Sequence, residues 1–198
     1  MILVDTGPLV ATFDPRQSDH AGCVRTMETL GGKTVTTIAV LTESFHLLRP
    51  PRPRAGLMDF VLDGHLRVVA LDNLDLGRCF ELMVQYADAP MDFADASLVA
   101  VAERSGIDRV FTLDRRHFAV YRMKRGHRHV PFTIVGPRAE PPMVREGGDR
   151  PDTCLPEPFP TPSAGERAAN AAYNRDLAEA ALRDVREALD RLDRTLVG

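Results

Sequence analysis

Short β-type runs alternate along this chain with longer helical ones, and that alternation restricts the fold more than any other feature. The runs are "ILVD" at 2–5, "TVTTI" at 34–38, "LRVVAL" at 66–71, "RVFTLD" at 109–114 and "FTIV" at 132–135, all rich in apolar and β-branched residues. Between them lie stretches of helical spacing: one through Leu30, one after Ile38, one from Leu76 to Tyr86 and one from Asp95 to Arg104. Strands separated by helices imply an α/β fold with a mostly parallel central sheet flanked by helices on both faces. In such a sheet the functional crevice lies beyond the carboxyl ends of the strands.

Acidic residues fall where that crevice would be. Asp5 and Asp114 each close a β run, so neighbouring strands would bring their carboxylates to one edge. Glu43 interrupts "AVLTESFHLL", where an acid inside a helix has no turn to make. In "MDFADASLVAVAER", Asp92 and Asp95 stand three residues apart before small and apolar residues. Either could simply cap the helix by accepting its free backbone N–H groups. Several carboxylates at one edge would raise one another's pKa unless a cation sat among them. Hard ions such as Mg²⁺ or Mn²⁺ suit that donor set, and beside basic loops such a pocket suits phosphodiester hydrolysis.

The basic residues are clustered even though the net charge is only −3. Arg49, Arg52 and Arg54 crowd a proline-rich loop, and Arg115, Arg116, Arg122, Lys124, Arg125 and Arg128 crowd a second segment. Clusters of this kind serve as solvated surface or as contacts to a phosphate backbone. Competing chemistries find no support, since there is no serine elbow, no phosphate-cradling glycine loop followed by Lys, and no HExxH. His46 and His117 are expected to be structural or RNA-facing. Cys23, Cys79 and Cys154 are odd in number and far apart, which excludes a zinc site of ordinary spacing and fits a reducing, cytoplasmic setting. Neither a secretory leader nor a membrane span is expected.

Taken together, "ILVDTGPLVA", the helix acid of "LTESFHLL", "MDFADASLVAVAER" and "VFTLDRRHF" resemble the PIN-domain ribonucleases, specifically the VapC-type toxins of type II toxin–antitoxin pairs. The resemblance covers about residues 1–136, with four short motifs in the right order. It implies that Asp5, Glu43, Asp95 and Asp114 are catalytic acids and metal ligands, with Asp92 at a position that is often acidic in the family. It implies Mg²⁺ or Mn²⁺ as the cofactor and RNA as the substrate, cut by metal-activated water. Thr112 corresponds to a hydroxyl residue near the site, and Arg115 and Arg116 stand where RNA contacts are expected. A VapB-like antitoxin is the implied protein partner, and a homodimer the expected assembly. The rival is a catalytically inactive PIN-like module that binds RNA or protein.

Beyond that region the pattern changes. Residues 137–163 read as a Pro/Gly-rich linker, and 164–198 as an amphipathic helix with an apolar stripe at Ala178, Leu182, Val185, Leu189, Leu192 and Leu196. The stripe needs a partner, either its own domain or another chain. Docking in cis is expected on the groove formed by the helices after the first and second strands, and the rival is a helix-to-helix dimer.

Overall fold

All three side chains of β1 (Ile2–Val4) are buried, because this strand lies at the middle of a five-stranded sheet. The computed structural model describes residues 1–89 and 91–137, with scattered positions between 163 and 183. On one side of β1 lie β2 (Thr34–Thr37) and then β3 (Leu66–Val69), and on the other lie β4 (Arg109–Phe111) and β7 (Thr133–Val135). Every pairing is parallel, with Leu3 opposite both Val35 and Val110. Central strands are buried on both faces, which is why β1 is a continuous apolar run and β2, though mostly threonine, is buried throughout.

Helices fill the crossovers. α1 (Thr6–Phe13) and α2 (His20–Leu30) join β1 to β2, while α3 (Ile38–Leu47) and α4 (Pro51–Leu62) join β2 to β3. The long return to β4 runs through α5 (Asn73–Gln85) and α6 (Phe93–Ser105). The chain therefore leaves β1 in one direction and comes back to its other side at β4. That reversal is a topological switch point, and it opens a crevice at the carboxyl ends of β1 and β4.

α6 is buried over most of its circumference, from Ala94 and Ala96 through Leu98, Val99, Ala100, Val101 and Ala102. A helix apolar nearly all round belongs inside, and its small residues let it approach the sheet closely. Ser97 on its inner side lies 2.6 Å from Thr37 Oγ1 at the end of β2.

Local readings of the sequence differ from the structure in three places. The helical stretch through Leu30 is two helices, because Asp14 closes α1 and turns the chain by accepting the Arg16 amide and guanidinium. The proline-rich loop at 49–54 is largely the first turn of α4, where proline loses nothing because that N–H has no intrahelical partner. The basic segment after Asp114 forms a short helix α7 (Arg115–Phe118) and an antiparallel hairpin, β5 (Arg122–Arg125) and β6 (Arg128–Pro131).

Most of the expected linker, and all six residues of the apolar stripe, lie outside the described residues. Positions 164, 165, 168, 169, 172, 173, 176 and 183 are helical. A described contact of this tail falls on β3, where the Tyr173 ring covers the Arg67 guanidinium with its carbon 3.8 Å from the ring centroid. Among the described residues no helix is long and apolar enough to cross a membrane.

Candidate active site

Asp5 follows β1 and is the N-cap of α1, with one carboxylate oxygen accepting the Thr6 amide at 2.6 Å. Its other oxygen accepts the Thr112 hydroxyl at 2.7 Å. Thr112 follows β4, and its hydroxyl oxygen in turn accepts the Asp114 amide at 2.8 Å. One buried threonine thus joins the ends of the two central strands. Gly7 lets α1 settle against this segment, because a Cβ there would come within 3.3 Å of the Leu113 side chain.

Asp114 caps α7 by accepting the His117 amide at 2.9 Å, and its second oxygen lies 2.7 Å from His117 Nδ1. Glu43 projects from α3 and accepts the Thr6 hydroxyl at 2.7 Å. Thr6 therefore serves two acids, Asp5 through its amide and Glu43 through its hydroxyl. At α6 the two aspartates divide their roles. Asp92 is the N-cap, accepting the Asp95 amide at 2.8 Å, so capping falls to Asp92 alone. Asp95, one turn inside the helix, instead accepts the Tyr121 hydroxyl at 3.1 Å. Tyr121 is fully buried, packed edge-on against Tyr86 and Phe118 and stacked near His117.

Electrostatics tie these groups into one site. Burial pushes Asp5 up to about 6, the charges of Asp92 and Glu43 push the same way, and the hydrogen bonds from Thr112 and Thr6 oppose them. Asp95 is pushed up to about 8, by burial first and then by Asp5, Asp92 and Asp114. No Lys or Arg is among the principal influences on either group. Burial and the Asp95 charge also raise the Tyr121 phenol. Among the described residues, no three Asp, Glu, His or Cys side chains stand together as a closed set of metal ligands. Each of these carboxylates is instead held by its own hydrogen-bond donors. The donors are all hard oxygens short of positive charge, which fits a divalent cation that takes a few carboxylates and keeps much of its water.

The expected basic contacts differ in freedom. Arg115 lies against Gly136, where a Cβ would fall 3.2 Å from its Nη2. Arg116 is exposed on α7, with no ion pair among the described residues. Arg16, Arg78 and Arg104 are each occupied by carboxylates elsewhere.

Sequence reasoning named all five acids and Thr112 but missed Thr6 and Tyr121, and it left His117 outside the site. His117 had a readable signal, since three residues after a capping Asp is one helical turn. Tyr121 had none, because it meets Asp95 across 26 residues of chain.

Comparison with known proteins agrees with this architecture. The PIN domain family model matches residues 2–123. Ribonuclease VapC26 of Mycobacterium tuberculosis is 30% identical over 142 residues, covering 68% of this chain and 99% of that protein. Roughly a third of this chain therefore lies outside the match. The crystal structure of Mycobacterium tuberculosis VapC20, described as a sarcin-ricin loop cleaving toxin, superposes with a TM-score of 0.55 at 22% identity. It covers 59% of this chain and 92% of that one, and the likeness is one of fold.

Proposed function

This chain belongs to the PIN domain family, and from that membership we propose that it is a metal-dependent endoribonuclease acting as the toxin of a toxin–antitoxin pair. The observation that carries the reading is that Asp5 and Asp95 are both hard to ionise, with Asp92 and Glu43 acting on the first and Asp5, Asp92 and Asp114 on the second.

Asp5, Glu43, Asp95 and Asp114 are the residues that would hold Mg²⁺ or Mn²⁺, with Asp92 at their rim. When bound, the ion supplies positive charge that polarises the scissile phosphate and lowers the pKa of a water. The protein's own part is positioning. Thr112 fixes the Asp5 carboxylate relative to the turn that carries Asp114, Thr6 aims Glu43, and Tyr121 aims Asp95. Such outer hydrogen bonds set how acids present their oxygens. Asp92 keeps the start of α6 in place, so Asp95 enters from a rigid helix. Arg116, and Arg115 beside Gly136, would meet phosphates flanking the cut. The cytoplasm, a VapB-like antitoxin and a homodimer complete the reading.

The decisive experiment is incubation of the purified chain with total RNA in Mn²⁺, Mg²⁺ or chelator, followed by mapping of the cut ends. Discrete cuts that need the cation and vanish in Asp5→Asn support the proposal. A second reading is a quiet PIN-like module that binds RNA or protein. RNA binding without cleavage under every cation would favour that one.

A further inference from the structure

Beyond Arg122, the β5–β6 hairpin carries positive charge that no carboxylate among the described residues pairs. Its sequence "RMKRGHRHVP" contains no acid. Met123 is buried and Val130, directly opposite, is partly so, and this pair anchors the ribbon to the core. Arg122 is spent locally, donating from Nη1 to the carbonyls of Ala119, Val120 and Tyr121. The outer half is different. Lys124, Arg125, His127, Arg128 and His129 are all exposed around a turn at Gly126, whose φ of +62° suits a two-residue hairpin.

Within that half, Arg125 sits directly opposite Arg128 and Lys124 opposite His129. Like charges facing each other across an antiparallel pair destabilise it. Lys124, Arg125 and Arg128 have no carboxylate partner among the described residues, although Arg16, Arg78 and Arg104 each found one. Folding alone gives no reason for such a pair, whereas an anion between two guanidinium groups would relieve it.

We propose that Lys124, Arg125 and Arg128 form a second RNA contact that holds the sugar-phosphate backbone of the substrate away from the cut. The inference rests on the nuclease reading above. The hairpin starts one residue after Tyr121, which touches Asp95, and the Lys124 amide donates to Glu103 on the same helix at 2.7 Å. The two acids are a step of eight residues apart on α6, about 12 Å at the helical rise. The ribbon therefore leads outward from the acidic crevice along α6, as a track for a strand passing through it. The exposed end offers charge and imidazole and no large apolar side chain, a composition suited to phosphate groups.

The test uses the full-length Asp5→Asn protein, so that RNA is bound and not cut, and a short fluorescently labelled single-stranded RNA. Arg125→Ser with Arg128→Ser should flatten the dependence of log K on log salt by roughly 1.4, the loss of two single-strand phosphate contacts. Affinity should fall roughly 25-fold at about 0.1 M salt and converge with the parent near 1 M. The hairpin should remain folded, with a melting temperature no lower than the parent's, because the like-charge pair is gone. Lys33→Ser with Arg109→Ser removes the same charge at the amino edge of the sheet and should leave the slope within error. An unchanged slope in the hairpin variant, or an equal fall in the control, overturns the proposal while wild-type cleavage keeps the nuclease reading standing. Absence of cation-dependent cleavage by the wild type overturns both.

Discussion

Thr112 donates to Asp5 at 2.7 Å and accepts from the Asp114 amide at 2.8 Å, so one side chain sets the relation between the two strand-end acids. Replacing it with valine keeps the volume but leaves a buried carboxylate short of a donor. Thr112→Val should lose about 1–3 kcal/mol of stability, the cost of a buried polar group left unsatisfied. The Asp5 pKa, which this hydrogen bond holds down, should rise further. Denaturant titration, with ¹³C NMR of the Asp5 carboxyl, checks both, and a variant as stable as the parent would remove Thr112 from this role.

Asp5 and Asp95 ionise near pH 3.8 in the unfolded chain but only near 6 and 8 in the fold. Between those values the unfolded chain has released protons that the folded chain keeps, so rising pH favours unfolding. In chelator, the contribution of these groups to the melting temperature should fall as pH rises from about 4 to about 8. Asp95→Asn should flatten the upper part of that fall. A gap between wild type and variant that stays constant with pH would refute it.

Divalent cation binding should oppose the same effect. Added Mn²⁺ should raise the melting temperature of the wild type, and by more at about pH 8 than at about pH 5, where protons compete for the carboxylates. Scanning fluorimetry across a Mn²⁺ series shows this directly. Equal shifts at both pH values, or an undiminished shift in Asp5→Asn, would place the cation elsewhere.

Tyr121→Phe removes one hydroxyl and leaves the ring packing against Tyr86 and Phe118 in place. Mn²⁺ affinity by calorimetry should weaken roughly tenfold or more, the usual effect of losing a partner that orients a ligand. The circular dichroism spectrum should not change. Unaltered affinity would make the contact with Asp95 incidental.

Asp92 caps α6, so its two simplest substitutions should separate. Asp92→Ala should cost about 1 kcal/mol of stability, while Asp92→Asn, which still accepts the Asp95 amide, should cost little. Thermal melts of both proteins decide it, and equal losses would point to charge and not to capping.

The architecture was legible because β1 to β4 and β7 are built largely of apolar and β-branched residues and the first four are each followed by helix. Asp5 and Asp114 could be placed at one edge for the same reason, since parallel strands end together. Pro51 and Pro53 misled because proline suits the first turn of a helix as well as a loop. The hairpin hid inside a basic run, where Met123 and Val130 alone mark its buried face. Tyr121 and Thr6 could not be read at all, because a hydroxyl becomes informative only once the fold brings a carboxylate to it.

Three of the five acids, Asp5, Asp92 and Asp114, are also the residues at which a helix begins. In a gene under pressure to be silenced, that double duty makes alleles unequal. Most replacements at these codons would lower the amount of protein together with its activity. Asparagine keeps the cap and removes the charge, and a single change at the first base of an aspartate codon produces it. On the proposed roles, a disarmed chain that still accumulates is therefore one mutation away at Asp5 and at Asp114, and asparagine is the allele to seek there among natural inactive variants.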